Sequence, residues 1–370
     1  VIPESWLADR TKSFEASGIR KIFELGRSLR NPINLSIGQP HFDVPEPVKA
    51  AAKAAIDAGQ NGYTLTQGIP ELREKLLADA CRRFPGQDRD AVVVAGVSGG
   101  LLLTMLATIN PGDEVIIPDP YFVSYPNIIA LAGGRAVTVN TYPDFRFDPE
   151  KIRAAVTPRT KAILLSTPAN PTGAVVDAKD QQAIAALARE RGILLISDEI
   201  YRAFHYDGAA SSPAMFSPDV LVIEGFGKTY GMTGWRLGWA HGPKRLIQEM
   251  AKLQQFTFVC APSMVQWAGI AAMDFDVSGI VADYQRKRDL LVNGLRGRYE
   301  LAVPGGAFYL FPKAPWGTGT EFVSAAIQQN LLMIPGAAFS SRDTHFRISY
   351  AASDETLERG IEVLIRMAKR

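Results

Sequence analysis

The stretch FGKTYGMTGWRLGW, Phe226 to Trp239, places one lysine among small residues and an arginine eight positions later. The triplet Gly227-Lys228-Thr229 looks like the end of a phosphate-binding P-loop. That loop needs a further glycine five positions before Gly227, so that backbone N–H groups can wrap a phosphate. The residue there is Val222, inside the apolar run VLVIEGF, which reads as a strand. The P-loop reading therefore fails on spacing. Two readings are left: an amine nucleophile at Lys228 supported by Arg236, or a surface lysine in a glycine-rich turn.

The 370 residues suffice for two domains or one large α/β domain, and 47% hydrophobic content supports a sizeable core. A formal net charge of +2, with acids and bases interleaved, argues against a nucleic-acid partner or an anionic membrane surface. No apolar run approaches the ~20 residues that span a bilayer. The opening VIPESWLADRTKSFEAS lacks the basic-then-apolar form of a signal peptide, so a cytoplasmic location is expected. Cys81 and Cys260 are the only cysteines and read as buried small hydrophobes in a reducing compartment. The four histidines are scattered, and no metal site is expected.

From about residue 90, short β-branched runs alternate with helical segments: AVVVA (91–95), EVIIP (114–118), RAVTVN (135–140), KAILLS (161–166), ILLIS (193–197), VLVIE (220–224) and LGWAH (237–241). Runs that are apolar throughout imply strands covered on both faces. The fold class is α/β, with a doubly wound, mostly parallel sheet. After about residue 280 the pattern changes to a smaller α+β unit, in which PGGAFYLF reads as a strand pair with a Gly-Gly turn. INLSIGQP reads as a strand that joins this unit from the N-terminal side. The expected division is 41–280 as the large domain, with 1–40 and 281–370 as the small one. The glycines of AGVSGG have the wrong spacing for a nicotinamide-binding GxGxxG turn.

Candidate chemistry falls at the strand ends, where open α/β sheets bind ligands. Gly96-Val97-Ser98 opens a helix after a strand, and its N–H groups and the Ser98 hydroxyl suit an anion. Asn170 lies between Pro168 and Pro171, which hold its amide at a fixed angle. Asp198 ends a buried strand, where a carboxylate needs a cation or a donor. Tyr201 follows three residues later. Lys228, again at a strand end, can be desolvated into a neutral amine. Arg236 offers a planar fork for phosphate. An ordinary turn or helix cap explains each of these alone; a phosphate anchor, a carboxylate for a pyridinium, donors for a phenolate and a lysine for an imine together suit pyridoxal 5′-phosphate.

In these motifs, above all GFGKTYGMTGWRLG, the chain resembles the class I/II aminotransferases of the aspartate aminotransferase superfamily, fold type I, over essentially its whole length. The resemblance implies that Lys228 carries the cofactor as a Schiff base, and that Arg236, Gly96, Val97 and Ser98 hold its phosphate. It implies further that Phe122 of PDPYFVSYP stacks on the ring, that Asp198 faces the ring nitrogen, and that Asn170 and Tyr201 face the ring oxygen. Gly38, Ile19, Asn170 and Arg347 are then substrate-binding, with Arg347 as the α-carboxylate fork. Tyr63 of NGYTLTQG reaches the phosphate of a neighbouring subunit, which implies a homodimer. The implied function is transfer of an amino group from an L-amino acid to a 2-oxo acid such as 2-oxoglutarate, with aspartate, aromatic and alanine donors all open. A C–S lyase or related lyase of the same fold shares every residue named. A regulatory or binding protein of this fold leaves the lysine constellation unexplained.

Two positions depart from the family pattern. Gly225 stands where many relatives carry a phosphate-binding serine, and His41 where an aspartate is common. The first removes a hydroxyl, so that cofactor binding leans more on Ser98, Arg236 and Tyr63; the second reads as a surface substitution.

Overall fold

The computed structural model describes residues 4–12, 29–208 and 210–369. A two-residue strand β1 (Ile33–Asn34) precedes seven strands of one sheet: β2 (Arg89–Val94), β3 (Glu114–Asp119), β4 (Arg135–Asn140), β5 (Thr160–Ser166), β6 (Leu194–Asp198), β7 (Leu221–Gly225) and β8 (Gly238–Pro243). Their spatial order is β2-β8-β7-β6-β5-β3-β4. β8 runs antiparallel to both β2 and β7, while the remaining pairings are parallel. The mostly parallel α/β sheet expected from the sequence is present, and each expected strand lies within two residues of its reading.

The uniformly apolar strands have a packing reason. On β5, Ile163 and Leu165 join a core that includes Leu72 and Ile184, while Ala162 and Leu164 join another with Leu101 and Leu103. Alternate side chains point to opposite faces, and helices cover both. The helix Ala178–Arg191 shows how local signals set the boundaries. The Asp177 side chain accepts from the Asp180 N–H at its start, and Gly192 closes it at φ 62°.

The later part of the chain forms a separate core that includes Phe308, Phe322, Phe346 and Leu364. Here β9 (Tyr309–Leu310), β10 (Leu331–Leu332), β11 (Ile334–Pro335) and β12 (Phe346–Ser349) are short. β1 pairs with β10, so the segment INLSIGQP joins this region, as its sequence suggested. β12 lies between β11 and β9 in an antiparallel sheet.

Two readings need correction. PGGAFYLF is not a hairpin: Gly306 bridges His205, and β9 pairs with β12 instead. Cys81 is exposed and Cys260 half-buried, so neither is a core hydrophobe. The buried stripe of its helix runs through Leu72, Leu76 and Ala80, and Cys81 sits one position out of phase. His41 is exposed, as expected of a surface substitution, and it also makes contacts. Its Nδ1 lies 2.9 Å from the Tyr284 hydroxyl, and its Nε2 lies 3.0 Å from Lys287 Nζ. Among the described residues, no helix is long and apolar enough to cross a membrane.

Gly306 is required where the later region meets the large sheet. Its N–H donates to the Gly173 carbonyl at 3.0 Å, and a Cβ there would overlap Phe204 O and Pro168. Pro168 and Gly173 flank Asn170 in the same loop. We expect Gly306→Ala to destabilise the protein by about 1–3 kcal/mol, the usual cost of overpacking. Urea denaturation checks this, with a lower midpoint at unchanged slope as the expected result.

Candidate active site

One edge of the large sheet collects the chemistry. β2, β3, β5, β6 and β7 all end there, and the loops that follow carry Gly96, Phe122, Asn170, Ile200 and Lys228. β8 runs the other way, so it begins at this edge, and Arg236 just before it arrives beside the others. The edge lines a cavity of about 480 Å³ with Gly38, Gly96, Val97, Ser98, Phe122, Asn170, Asp198, Tyr201, Lys228, Arg236 and Arg347 in its wall. Eleven of the thirteen residues singled out in the sequence therefore meet in one place. Tyr63 is not among them and is 89% exposed. Ile19 lies outside the described residues.

At one end of the cavity, small residues and a fork make an anion cradle. A Cβ on Gly96 would sit 2.5 Å from Arg236 Nη2, and one on Gly238 would sit 2.9 Å from Val97 N. The guanidinium and the start of the helix Gly96–Thr108 can pack together only because both positions are glycine. Arg236 takes φ 57°, a left-handed conformation uncommon outside glycine. Its Nη1 donates to the Thr233 carbonyl at 2.9 Å. Gly225 has a plain physical reason. A Cβ there would lie 2.8 Å from Ile200 Cδ1 and 2.9 Å from Val97 Cγ2, so the space of a serine side chain is already filled.

At the floor lies Asp198, only 3% exposed. Its Oδ2 accepts from the Tyr125 hydroxyl at 2.8 Å and its Oδ1 from the Ile200 N–H at 3.1 Å. Burial pushes the carboxyl up to about 6, against the pull of the two donors and of Lys228. Lys228 donates from Nζ to the Gly38 carbonyl. Burial, then the nearby Arg347 and Arg236 charges, bring its amine down to about 8, with Asp198 opposing.

The third group is Arg347 on β12, 1% exposed. Nη1 donates to Asn170 Oδ1 at 3.0 Å and Nη2 to the Ser36 carbonyl at 2.7 Å, while Nε has no partner. The guanidinium lies 4.6 Å from the Tyr309 ring centroid and 4.9 Å from that of Phe339. Tyr201 sits in a turn, its hydroxyl 2.8 Å from that of Tyr309. Sequence reasoning missed Tyr125 and Tyr309. A buried Asp198 demanded a donor, and Tyr125 lies only three residues after Phe122. Nothing local pointed to Tyr309.

This donor set fits pyridoxal 5′-phosphate. A glycine-walled cradle with an arginine suits a phosphate, a buried carboxylate suits a protonated ring nitrogen, and a desolvated lysine suits an aldehyde. Fold and cavity together define an enzyme class that works on amino acids through a carbonyl cofactor. The family model for class I and II aminotransferases matches residues 30–364, and the chain belongs to that family. It is 39% identical to the aspartate/prephenate aminotransferase of Thermus thermophilus, over 95% of this chain and 94% of that one. It is 36% identical to the aromatic-amino-acid aminotransferase 2 of Thermococcus litoralis, over 98% of each. The solved aspartate aminotransferase of Thermus thermophilus with maleate superposes at a TM-score of 0.92, with 36% identity, covering 98% of this chain and 99% of that one. The protein is an aminotransferase of fold type I, and its cofactor is pyridoxal 5′-phosphate.

The two shifted groups set opposite pH slopes in the cofactor-free protein. With Asp198 raised from 3.8 to about 6, the folded state keeps a proton that the unfolded chain releases, so stability falls between those values. With Lys228 lowered from 10.5 to about 8, the unfolded chain keeps a proton that the folded state has lost, so stability rises across that window. At about 1.4 kcal/mol per pKa unit, the Lys228 contribution is roughly 3 kcal/mol. We expect cofactor-free protein to gain stability from about pH 8 to 10. Lys228→Met should flatten that rise, as read from urea midpoints.

Proposed function

We propose that this cavity moves an amino group between an L-amino acid and a 2-oxo acid, with 2-oxoglutarate as the shared acceptor. Aspartate, aromatic amino acids and alanine are the donors to be tested, the first two being named in the relatives above. The observation that carries this reading is the buried Arg347 fork, placed with Asn170 in the same wall as Lys228 and Asp198.

Gly96, Val97, Ser98 and Arg236 would hold the cofactor phosphate, with Phe122 against the ring and Asn170 and Tyr201 toward its oxygen. When bound, the cofactor supplies an aldehyde that condenses with amines and a ring that takes up the electrons left when an α-proton departs. Asp198, as carboxylate, would hold the proton on the ring nitrogen. A bound cation there favours its charged form, against the burial that raises its pKa. Arg347 and Gly38 receive the substrate α-carboxylate by a bidentate, charge-assisted contact and its near wall. Lys228 would hold the cofactor covalently through its amine, and with that amine free it would serve as the base and acid that moves the substrate Cα proton. A pKa of about 8 leaves part of the amine neutral near physiological pH. Residues 41–280 would serve as the cofactor-binding domain, with 1–40 and 281–370 as the small one. Two free thiols at Cys81 and Cys260 suit the reducing cytoplasm.

Borohydride reduction of the holoenzyme followed by peptide mapping should place the cofactor on Lys228; a label on another lysine would refute the assignment. A donor panel against 2-oxoglutarate then separates transamination from a lyase, which would eliminate without consuming the oxo acid.

The working unit is a homodimer in this reading, with Tyr63 reaching the partner's phosphate cradle. Its support is the 89% exposure of Tyr63 beside Leu65 at 61%, with Phe256 at 80%. Tyr63→Phe and Lys228→Ala should each be strongly impaired. In a mixed dimer both defects fall on one site and the other is intact. Co-expression should recover activity above either variant alone. Impaired single variants with no recovery would exclude the shared site.

A further inference from the structure

Tyr309 belongs to none of the roles above, yet it touches three of them. β9 and β12 pair with Tyr309 opposite Ser349, which sets Tyr309 diagonal to Arg347 on the same face. Its ring lies under the guanidinium, 4.6 Å from centroid to Cζ. Its hydroxyl is 2.8 Å from the Tyr201 hydroxyl. That hydroxyl also closes on Gly38, where a Cβ would come within 2.9 Å of it. Gly38 is the residue whose carbonyl accepts from Lys228. Tyr309 is fully buried, so none of these contacts is shared with solvent.

We propose that Tyr309 is a positioning residue that joins the carboxylate fork to the phenol facing the cofactor. This rests on the roles given to Tyr201 and Arg347 above. Either hydroxyl of the pair can donate. With Tyr201 donating into the cavity, its oxygen is free to accept, and Tyr309 becomes the donor. A phenol that accepts one hydrogen bond donates a stronger one. Tyr309 therefore strengthens the Tyr201 bond to a negatively charged ring oxygen. Its ring fixes the plane of the guanidinium through a buried cation–π contact. The hydroxyl serves the cofactor side and the ring serves the substrate side, so the two functions separate by substitution.

The test uses holoenzyme and two readouts other than turnover. One is the pH midpoint at which the bound cofactor changes its visible absorbance. The other is the dissociation constant of maleate, an unreactive carboxylate. Tyr309→Phe should raise the absorbance midpoint by about half a pH unit, in the direction of Tyr201→Phe and by less. Added to Tyr201→Phe, it should shift the midpoint no further. Maleate should bind Tyr309→Phe within about twofold of the parent, and Tyr309→Leu about tenfold more weakly. The proposal is overturned if Tyr201→Phe moves the midpoint and Tyr309→Phe does not, or if the two shifts add. A midpoint that Tyr201→Phe leaves in place rejects the role of Tyr201 itself, and with it the target of Tyr309. Equal maleate binding by Tyr309→Phe and Tyr309→Leu rejects the ring's part.

Discussion

The buried guanidinium of Arg347 is the constraint around which the site is arranged. It is 1% exposed, and the partners it meets are neutral: an amide oxygen, a backbone carbonyl and two aromatic faces. A charge removed from water without a counter-ion is costly. Desolvation accordingly lowers the Arg347 pKa, although a guanidinium does not lose its proton in a protein. The cost is met when an anion arrives. In the proposed role, the fork selects a carboxylate by electrostatic need as well as by shape.

The rest of the cavity repeats that imbalance. Its wall, among the described residues, carries Lys228, Arg236 and Arg347 against one carboxylate, Asp198. The two arginines depress the lysine amine after burial has done so, and Asp198 alone pulls the other way. In the proposed function, a dianionic phosphate at one end and a carboxylate at the other would offset this positive charge. Cofactor and substrate are therefore parts of the electrostatic balance. The protein by itself holds its charged groups in a state that binding relaxes, which is how strained and shifted groups come to concentrate at functional sites.

Much of this was legible in the sequence. The seven strands stood out because both faces of the sheet are covered, which leaves nearly continuous apolar runs. Asn170, Asp198 and Lys228 stood out because polar residues at the ends of such runs are exceptional. Local rules failed where partners are distant. Tyr309 meets Tyr201 across 108 residues, and no spacing links them. The Gly305-Gly306 pair looked like a hairpin turn; its glycine is required by a close approach between two chain segments. Cys81 was misplaced by a single step in helical phase. Tyr125 was within reach of reasoning, since a carboxylate as buried as Asp198 needs a donor and a tyrosine lay three residues beyond Phe122.

Gly225 shows how far a single departure from a family pattern spreads. Read alone, it is a lost hydroxyl that shifts phosphate binding onto other residues. In the fold, Ile200 and Val97 fill the space a serine side chain would need. Val97 belongs to the cradle itself. Ile200 follows the strand that ends in Asp198, and its N–H donates to Asp198 Oδ1. One of the two side chains that fill this space is therefore carried by the residue whose N–H donates to Asp198 Oδ1. A serine here would need the Ile200 Cδ1 and Val97 Cγ2 methyl groups to turn aside, and both stand at the ends of side chains rather than in the backbone. The missing hydroxymethyl group at Gly225 is thus matched by its surroundings, where two methyl groups occupy its place.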